Sequence, residues 1–389
     1  MRTAHILVYS NDRDSFPEYA ACDHDAATLA LLERRMRTKP PSDSGPPATP
    51  KKRTSLKDLA TYLGLSQTTV SFVLNNAPLA KNLAPETRSR VQEAARKFNY
   101  RPSYFALNLH KTGSDSIGVL VPEHSEGYFT IVMEGVERYL LQKHFLYFTA
   151  CHYHKPKLVK EYSELLLNRG AEGLLLLNTN ADFDTPLPVV TISGHKEKEG
   201  VTNVFIDHRV AARLAIRHLY DLGHRKIAFM KGPPSIIDTE FRWDAMMQMA
   251  REFGVQPTPE RTVQLTSGGW TPLVGYDPTR RLLDATRDFT ALVAFNDTTA
   301  IGAMRVLHEA GMSVPSDVSV IGFDDIASAQ FHVPSLTTIR QPLKYMGKLA
   351  ASILLDRIAN STRQYDSNIP VKPTLIVRES TAPAAKFSS

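Results

Sequence analysis

Residues 54–76 read TSLKDLATYLGLSQTTVSFVLNN, and this stretch decides the fold of the first part of the chain. Apolar residues recur at helical spacing over 56–63 and again over 70–74. Gly64 lies between the two runs and suits a tight turn, because a residue without Cβ adopts positive φ at little steric cost. Ser66 can cap the second run through its side-chain oxygen. The pattern predicts two short helices joined by a turn.

The second of these helices carries short polar side chains on its first turns. They are Gln67, Thr68, Thr69 and Ser71. A helix of this kind can enter the major groove of DNA with its N-terminus first, as the second helix of a helix-turn-helix does. The alternative is an ordinary helical hairpin whose polar face meets only water.

The charge of the chain is concentrated around these helices. Between Lys51 and Gly113 there are eleven Lys or Arg residues and three acidic residues, a net charge of +8, whereas the whole chain carries +6. The rest of the chain is therefore slightly negative. A basic segment on a nearly neutral body favours a protein that binds the phosphate backbone of nucleic acid.

Length and composition set the broad class. The chain has 389 residues and 42% hydrophobic residues, which suggests two or three domains with real cores. Its two cysteines, Cys22 and Cys151, form neither a disulfide framework nor a zinc-ligand spacing, so we expect a reducing, cytoplasmic location. No apolar run has the length of a membrane span, and no secretion signal is recognisable at the N-terminus. We expect no membrane association.

The first fifty residues end in a stretch that cannot join a packed core. Residues 5–9 could form a strand and 25–37 a helix, but 39–50 are a Pro/Ser linker. Two interpretations stay open: a small appended segment of unknown role, or an extension upstream of the true start. We expect a weakly ordered extension and assign it no function.

A third helix is predicted from Pro85 to about Phe98, after a loop over 75–83. Proline is favoured at the first helical position, where its missing N–H would be unpaired in any case. Thr87 then lies at the helix start, where a phosphate could bind. The following segment, 103–110, is too short to be a stable helix alone, and it could fold on DNA with Leu109 as an apolar wedge in the minor groove. The alternative is a plain interdomain linker.

From Ser116 onward, short β-rich runs alternate with amphipathic helices, including a predicted helix over 278–286. About ten such strands follow in some 260 residues. This alternation predicts an α/β fold with parallel sheets, and the number of strands predicts two sheets and hence two lobes.

Polar residues follow several of the predicted strands. They are Ser193, Asp207, Asn296, Asp297, Asp324 and Asp325, with Arg242 and Trp270 near other strand ends. In doubly wound sheets the ligand crevice lies beyond the carboxyl ends of the strands. Amide, carboxylate and guanidinium groups beside a tryptophan ring suit a sugar or polyol. Singly, each residue has another explanation: Asn296 and Asp297 could cap a helix, Asp325 could pair with a surface lysine, and Trp270 could belong to the core.

The sequence contains no recognised catalytic or nucleotide-binding motif. His152 and His154 could bind a metal from one side of a strand, but without a nearby carboxylate or second cysteine a solvated strand end is the expected reading. We therefore predict no enzymatic activity, no metal site and no cofactor.

The chain resembles the LacI/GalR family of bacterial transcription regulators over residues 54–381. Beyond the opening stretch, the matching segments are 84–103, 116–122, 218–229, 291–304, 310–326, 334–342 and 375–381. The resemblance implies an N-terminal all-α helix-turn-helix DNA-binding domain and a two-lobed, periplasmic-binding-protein-like effector domain. It also implies a homodimer that reads a pseudo-palindromic operator under the control of a small effector.

The resemblance also implies roles for individual residues. Gln67 and Thr68 would face base edges, while Ser66, Thr69, Ser71, Asn75 and Thr87 would contact phosphates. Ser103, Ala106 and Leu109 would belong to a hinge helix on the DNA. The effector would be contacted by Tyr128 or Phe129 and by Ser193, Arg242, Trp270, Asn296 and Asp324.

The implied organisation is an extension over 1–50, the DNA-binding domain over 51–101, a hinge over 102–113 and the effector domain over 114–389. The N-lobe would take about 114–206 and 340–370, and the C-lobe about 207–339 and 371–381. Ala84 departs from the family pattern because it replaces a capping Ser or Thr, a loss of about 1 kcal/mol. Phe72 and Leu107 replace common arginines. These departures concern the operator sequence, and the absence of terminal heptads argues against a tetramer.

The sequence thus predicts a cytoplasmic repressor of carbohydrate genes, controlled by a sugar or sugar phosphate. One rival is a sugar-binding receptor with the same body and no role on DNA, for which a secretion signal should replace the basic segment. Another is an enzyme acting on a sugar, which would need paired carboxylates that the sequence does not place together.

Overall fold

A computed structural model describes residues 54–75, 77–100, 113–124, 127–266 and 271–384. These residues belong to two compact units. We call residues 54–100 the head and residues 113–384 the body. The predicted strand over 5–9, the predicted helix over 25–37 and the hinge segment lie outside the described residues.

The head is helical. Its described α-helices are α1 (Leu56–Leu63), α2 (Gln67–Leu74) and α3 (Pro85–Lys97). A reciprocal pair of hydrogen bonds starts α1: the Ser55 hydroxyl accepts from the Asp58 N–H at 3.2 Å, and the Asp58 carboxylate accepts from the Ser55 N–H at 2.8 Å. Gly64 ends α1 with φ of 64°, the left-handed conformation that the turn requires.

The second helix begins where Ser66 caps it. The Ser66 hydroxyl accepts from the Thr69 N–H at 3.1 Å. The helices enclose a small core of buried side chains: Leu59, Ala60, Leu63, Val70, Val73, Ala80, Val91 and Ala94. The segment before α3, which the sequence indicates as a loop, instead contains a 3-10 helix at Pro78–Asn82. Pro78 is the first residue of this 3-10 helix, and its ring fixes φ there. Ala80 is buried in the core of the head.

Within its described residues, the body contains two six-stranded sheets. Sheet one has the order β11-β5-β4-β3-β1-β2, and sheet two the order β12-β10-β9-β8-β6-β7. The strands of sheet one are β1 (Ser116–Val121), β2 (Leu146–Cys151), β3 (Leu174–Leu177), β4 (Val189–Ile192), β5 (Val201–Ile206) and β11 (Asn368–Val371). Those of sheet two are β6 (Ile227–Lys231), β7 (Thr262–Gln264), β8 (Ala291–Val293), β9 (Ser319–Asp324), β10 (Thr337–Arg340) and β12 (Thr374–Ile376). All pairs are parallel except β10 with β12.

The described helices of the body pack against these sheets. They are α4 (Tyr128–Gln142), α5 (Pro156–Asn168), α6 (His208–Asp221), α7 (Asp238–Glu252), α8 (Leu273–Ala285), α9 (Asp297–Glu309), α10 (Ala327–Phe331) and α11 (Leu343–Ala359). Both β1 and β9 are buried along their whole length, as strands covered on two faces must be. The α/β class with two parallel sheets is confirmed, and so is the two-lobed architecture.

The chain passes between the two sheets at three places within residues 113–384. It leaves sheet one after Ile206, returns after Arg340, and enters sheet two again after Val371. Each lobe is therefore assembled from separate segments of sequence. This arrangement places loops from both lobes at one cleft.

Glycines allow α4 and α11 to approach closely. A Cβ at Gly135 would lie 2.0 Å from the carbonyl oxygen of Lys344, and a Cβ at Gly347 would lie 2.1 Å from that of Val132. Both distances are far below van der Waals contact. Only residues without a side chain fit at these two positions.

One helix differs from its prediction. The sequence places the start of α8 at Pro278, but α8 begins at Leu273 and Pro278 lies within it. The residue is buried beside Gly275, and the helix continues through the position that proline usually opens. Among the described residues, no helix is both long and apolar enough to cross a membrane.

Candidate functional site

The head presents two exposed polar side chains on the first turn of α2. Gln67 and Thr68 are exposed, whereas Val70 and Val73 of the same helix are buried. The cap at Ser66 fixes the start of the helix, since its hydroxyl also lies 2.8 Å from the Thr69 hydroxyl. This geometry leaves Gln67 and Thr68 available for a partner, which is how base-reading side chains are presented in a helix-turn-helix.

Other residues predicted to contact phosphates lie around this turn. Asn75 donates to the Ser71 hydroxyl at 3.1 Å, which fixes both side chains at the end of α2. Thr87 is half-buried on the first turn of α3. Ala84 gives α3 no side-chain cap, so the N–H groups at the start of that helix remain available for an anion. Ser103, Ala106 and Leu109 lie outside the described residues.

A second candidate site lies in the body, between the carboxyl ends of the strands of the two sheets. A small cavity there is lined by Tyr128, Asn178, Ile236, Asp238, Arg242, Phe295, Asn296 and Asp324. Its volume is about 10 Å³, room for roughly one water molecule. We call these lining residues the cleft. In this conformation the two lobes are closed over it.

The Arg242 side chain is held by both polar and aromatic contacts in the cleft. Its Nη1 donates to the carbonyl oxygen of Phe295 at 2.7 Å, and its Nη2 lies 3.7 Å from Asp238 Oδ2. The guanidinium carbon lies 4.6 Å from the ring centroid of Phe295 and 3.8 Å from that of Phe323. The aromatic contacts hold the plane of the guanidinium, which can then donate to a ligand in a fixed direction.

Asp324 contributes a buried carboxyl group to the cleft. Gln341 donates to its Oδ1 at 2.5 Å. Burial raises the pKa of Asp324 to about 6, although Arg242 and the hydrogen bond from Gln341 favour the charged form. Near neutral pH this group is therefore an ionised acceptor for hydroxyl groups.

Asn296 and Asp297 both have structural roles, and Asn296 also lines the cleft. Asn296 caps α9, because its Oδ1 accepts from the Thr299 N–H at 2.9 Å. Asp297 is fully buried and accepts from the Thr338 hydroxyl at 2.5 Å and from the Ile326 N–H at 2.9 Å. Burial, followed by the charge of Asp324, raises the pKa of Asp297 well above its usual value. Asp297 thus supports the cleft and does not line it.

The first lobe provides the opposite wall. The hydroxyl groups of Tyr128 and Ser193 lie 3.2 Å apart, and both side chains are buried. Burial raises the pKa of Tyr128, so it is a neutral phenol. Phe129 packs edge-on against Tyr128 in the core, and neither Phe129 nor Ser193 is among the residues that line the cavity. Trp270 lies outside the described residues.

Two other carboxylates at strand ends have structural roles. Asp207 caps α6 by accepting from the Val210 N–H at 3.0 Å. Asp325 pairs with Arg340 and Arg378, each at 2.6 Å, and not with a surface lysine. Neither residue lines the cleft.

A direct contact joins the two lobes beside the cleft. His195, in the loop after β4, hydrogen bonds to Asp238 at the start of α7. The ring of His195 also stacks on Phe241, with 3.9 Å between the centroids and 23° between the planes. These contacts favour the closed arrangement of the lobes.

A larger cavity of about 220 Å³ adjoins the cleft and shares Asn178 with it. His152 and His154 line it together with Phe183 and Ile237. The expectation of solvated histidines is wrong for His152, which is 3% exposed and lies 2.8 Å from the Thr179 hydroxyl. The strand ends at Cys151, Tyr153 and His154 adopt left-handed backbone conformations, and His152 contacts Thr179 in the loop after β3.

Several residues of the site carried little signal in the sequence. Asn178 follows β3 directly, so the rule of strand ends that selected Ser193 could have selected it. Asp238 and Ile236 lie in or after a long loop past β6, where no pattern fixes their position. His195 and Phe241 meet only because the two lobes close on each other.

Comparison with known proteins identifies relatives of both units. Residues 55–103 match the model described as bacterial regulatory proteins, lacI family, and residues 216–381 match a periplasmic binding protein-like domain. The HTH-type transcriptional repressor PurR of Haemophilus influenzae is 32% identical over 339 residues, which cover 84% of this chain and 98% of that protein.

Solved structures agree with these matches. The lac repressor dimer bound to operator and the anti-inducer ONPF has a TM-score of 0.70 at 25% identity, and the match covers 85% of this chain and all of that one. The complex of the transcriptional regulator CelR with cellobiose has a TM-score of 0.61 at 27% identity, and the match covers 84% and 100% of the two chains.

Proposed function

The chain belongs to the lacI family of bacterial regulatory proteins and is a DNA-binding transcriptional repressor with an effector-binding body, and we propose that its effector is a sugar or sugar phosphate and that it controls carbohydrate genes. One observation carries this proposal: the cleft combines two buried carboxyl groups, an aromatic-stacked guanidinium and two amides around one closed cavity.

The chemistry of the cleft supports a polyol. Vicinal hydroxyl groups both donate and accept, so they can pair with Asp324 as an acceptor and with Arg242 as a donor. Asn178 and Asn296 add amide groups on opposite lobes. A small apolar wall from Ile236 and Phe295 can cover the C–H face of a ring. The structure of CelR, which shares this fold, contains the protein in complex with cellobiose.

The closed cleft explains how an effector can regulate the protein. About 10 Å³ cannot hold a sugar, so a ligand that binds must first find the lobes apart. An effector that contacts both lobes then changes the balance between open and closed forms by its difference in affinity for the two. The adjoining cavity of about 220 Å³ provides additional room for a substituent or a second sugar ring.

On the DNA side, we propose that the protein acts in the cytoplasm as a homodimer on a pseudo-palindromic operator. The lac repressor is a dimer on its operator. In this proposal Gln67 and Thr68 read base edges, and Ser66, Thr69, Ser71, Asn75 and Thr87 contact phosphates. Ser103, Ala106 and the wedge at Leu109 stay predictions of the sequence.

The proposal is tested by ligand screening followed by DNA binding. Thermal unfolding of the full chain is measured with monosaccharides, disaccharides, sugar phosphates and, as a competing class of flat ligand, nucleobases. A sugar that raises the melting temperature should also change the affinity for a duplex selected from random DNA by the same protein. Stabilisation by nucleobases alone would contradict the assignment of a sugar effector, but it would not contradict the assignment as a repressor.

A further inference from the structure

Three side chains that can ligate a metal ion converge at the boundary between the lobes. His195 comes from the loop after β4, His208 begins α6, and Asp238 begins α7. One ligand atom from each lies within 4.8 Å of the other two. The Nε2 atoms of both histidines approach the same oxygen, Asp238 Oδ1: His195 hydrogen bonds to it, and His208 lies 3.4 Å away. All three side chains are at least nine-tenths buried.

Within the part of the chain that the structure describes, no hydrogen bond accounts for the burial of His208. Its side chain is 6% exposed, and among the described residues neither ring nitrogen makes a hydrogen bond, since the 3.4 Å contact with Asp238 Oδ1 lacks hydrogen-bond geometry. The cap that Asp207 provides to Val210 fixes the first turn of α6 and therefore the position of His208. Buried polar groups nearly always find a partner, so this imidazole points to a partner that the described residues do not supply.

We propose that His195, His208 and Asp238 bind a divalent transition-metal ion, with Zn²⁺ as the best match, and that this ion ties the two lobes together. Two imidazoles and one carboxylate are a common donor set for Zn²⁺, with a fourth position left for water or ligand. Ligand bonds of about 2.1 Å in a tetrahedron separate the ligand atoms by about 3.4 Å. His208 Nε2 and Asp238 Oδ1 have that spacing, whereas His195 must move slightly away from Asp238.

Neighbouring groups hold the ligands in place. Arg242 Nη2 lies 3.7 Å from the second oxygen of Asp238, and the stack on Phe241 orients the ring of His195. The positive charge of Arg242 opposes a cation, and the carboxyl group of Asp324 in the same cavity offsets it. Because His195 belongs to one lobe and His208 and Asp238 to the other, metal binding requires closure, and it would favour the closed form at any effector concentration.

The experiment uses the full chain after treatment with a chelator. Co²⁺ is titrated in, and the visible absorption of a four-coordinate cobalt site is recorded before Zn²⁺ is added to displace it. We expect one high-affinity ion per chain and a smaller radius of gyration in X-ray scattering with Zn²⁺. His208→Gln should weaken Zn²⁺ binding at least about 100-fold, as loss of one of three ligands must.

His308→Gln is the matched control, because His308 is exposed on α9 and the chain has 13 histidines that could bind metal weakly. Absence of the cobalt band, or equal affinity in the His208→Gln variant and wild type, would overturn the site. Folding of each variant is checked by circular dichroism without metal. Should His208→Gln fail to fold, Asp238→Asn, which keeps the side-chain shape, is tested with the same two outcomes. No step requires sugar, so failure of the effector proposal would leave these results unaffected.

Discussion

Arg242 and Phe295 contact each other twice: the guanidinium donates to the Phe295 carbonyl oxygen at 2.7 Å, and its carbon lies 4.6 Å from the ring centroid of the same residue. The backbone contact sets the position of the guanidinium, and the ring sets its plane. Since Phe295 immediately precedes Asn296, the arginine is also tied to the cap of α9. A substitution at Arg242 should therefore change the affinity for the effector more than any other property of the protein.

Arg242→Lys should lower the affinity for the most stabilising sugar of the screen by about 100-fold, because an ammonium group cannot replace a planar fork of donors held between rings. Operator affinity without sugar should stay within about twofold of wild type, since the residue lies in the body. Calorimetric titration and fluorescence anisotropy measure the two affinities. Arg305→Lys, on an exposed part of α9, serves as the control. An unchanged sugar affinity in Arg242→Lys would remove this residue from the site.

Gln67→Ala should reduce affinity for the selected operator by about 1–3 kcal/mol, because a side chain that pairs with a base edge contributes about that much discrimination. Binding to random duplex and the dependence on salt should change little, as phosphate contacts carry both. Competition gel shifts over a salt series give these quantities. Gln92→Ala removes the same chemical group from the exposed face of α3 and should behave as wild type. If both variants lose affinity equally for all duplexes, Gln67 does not read sequence.

The buried His152 should make the protein less stable in mild acid. Burial, followed by the nearby His154, lowers the pKa of His152 to about 4, whereas an unfolded histidine titrates near 6.5. Between these pH values the unfolded chain takes up a proton that the folded chain does not. The contribution of neutral His152 to the free energy of unfolding is therefore complete above pH 6.5 and is lost as the pH falls to about 4. The loss should amount to about 1–2 kcal/mol after allowance for solvent screening.

His152→Gln keeps a polar partner for Thr179 and removes the titration, so its melting temperature should fall less than that of wild type between pH 7.5 and 4.5. Chemical or thermal unfolding at both pH values provides the comparison. The exposed His308→Gln should retain the full wild-type decrease. Parallel pH profiles for His152→Gln and wild type would refute the assignment.

Gly347→Ala should destabilise the body by about 1–3 kcal/mol, although alanine is the better helix former, because its Cβ would lie 2.1 Å from the carbonyl oxygen of Val132. Denaturant unfolding measures the change. Leu141→Ala truncates a side chain of α4 that is 70% exposed, and it should change stability by less than about 0.5 kcal/mol. Equal stability of Gly347→Ala and wild type would show that the two helices can separate without cost.

The sequence specified the helices and the strand ends well, because both depend on local periodicity. Gly64 and Ser66 end and begin helices as predicted, Ser193 and Asn296 follow strands, and Asp324 is the last residue of β9. What could not be predicted depends on contacts between distant segments. The pairing of His195 with Asp238 joins residues 43 positions apart across two lobes, and the burial of His152 depends on Thr179 in another loop. Pro278 shows the opposite failure, since a residue that usually opens a helix is tolerated inside one.

The three passages of the chain between the sheets also constrain how this protein can be rebuilt or recombined. Neither lobe is a continuous stretch of sequence, so a single crossover with a relative at any of these passages would leave at least one sheet built from strands of both parents. The head, by contrast, is one continuous segment of sequence over residues 54–100. Replacing the head with that of a relative should therefore give a folded protein far more readily than replacing a single lobe of the body.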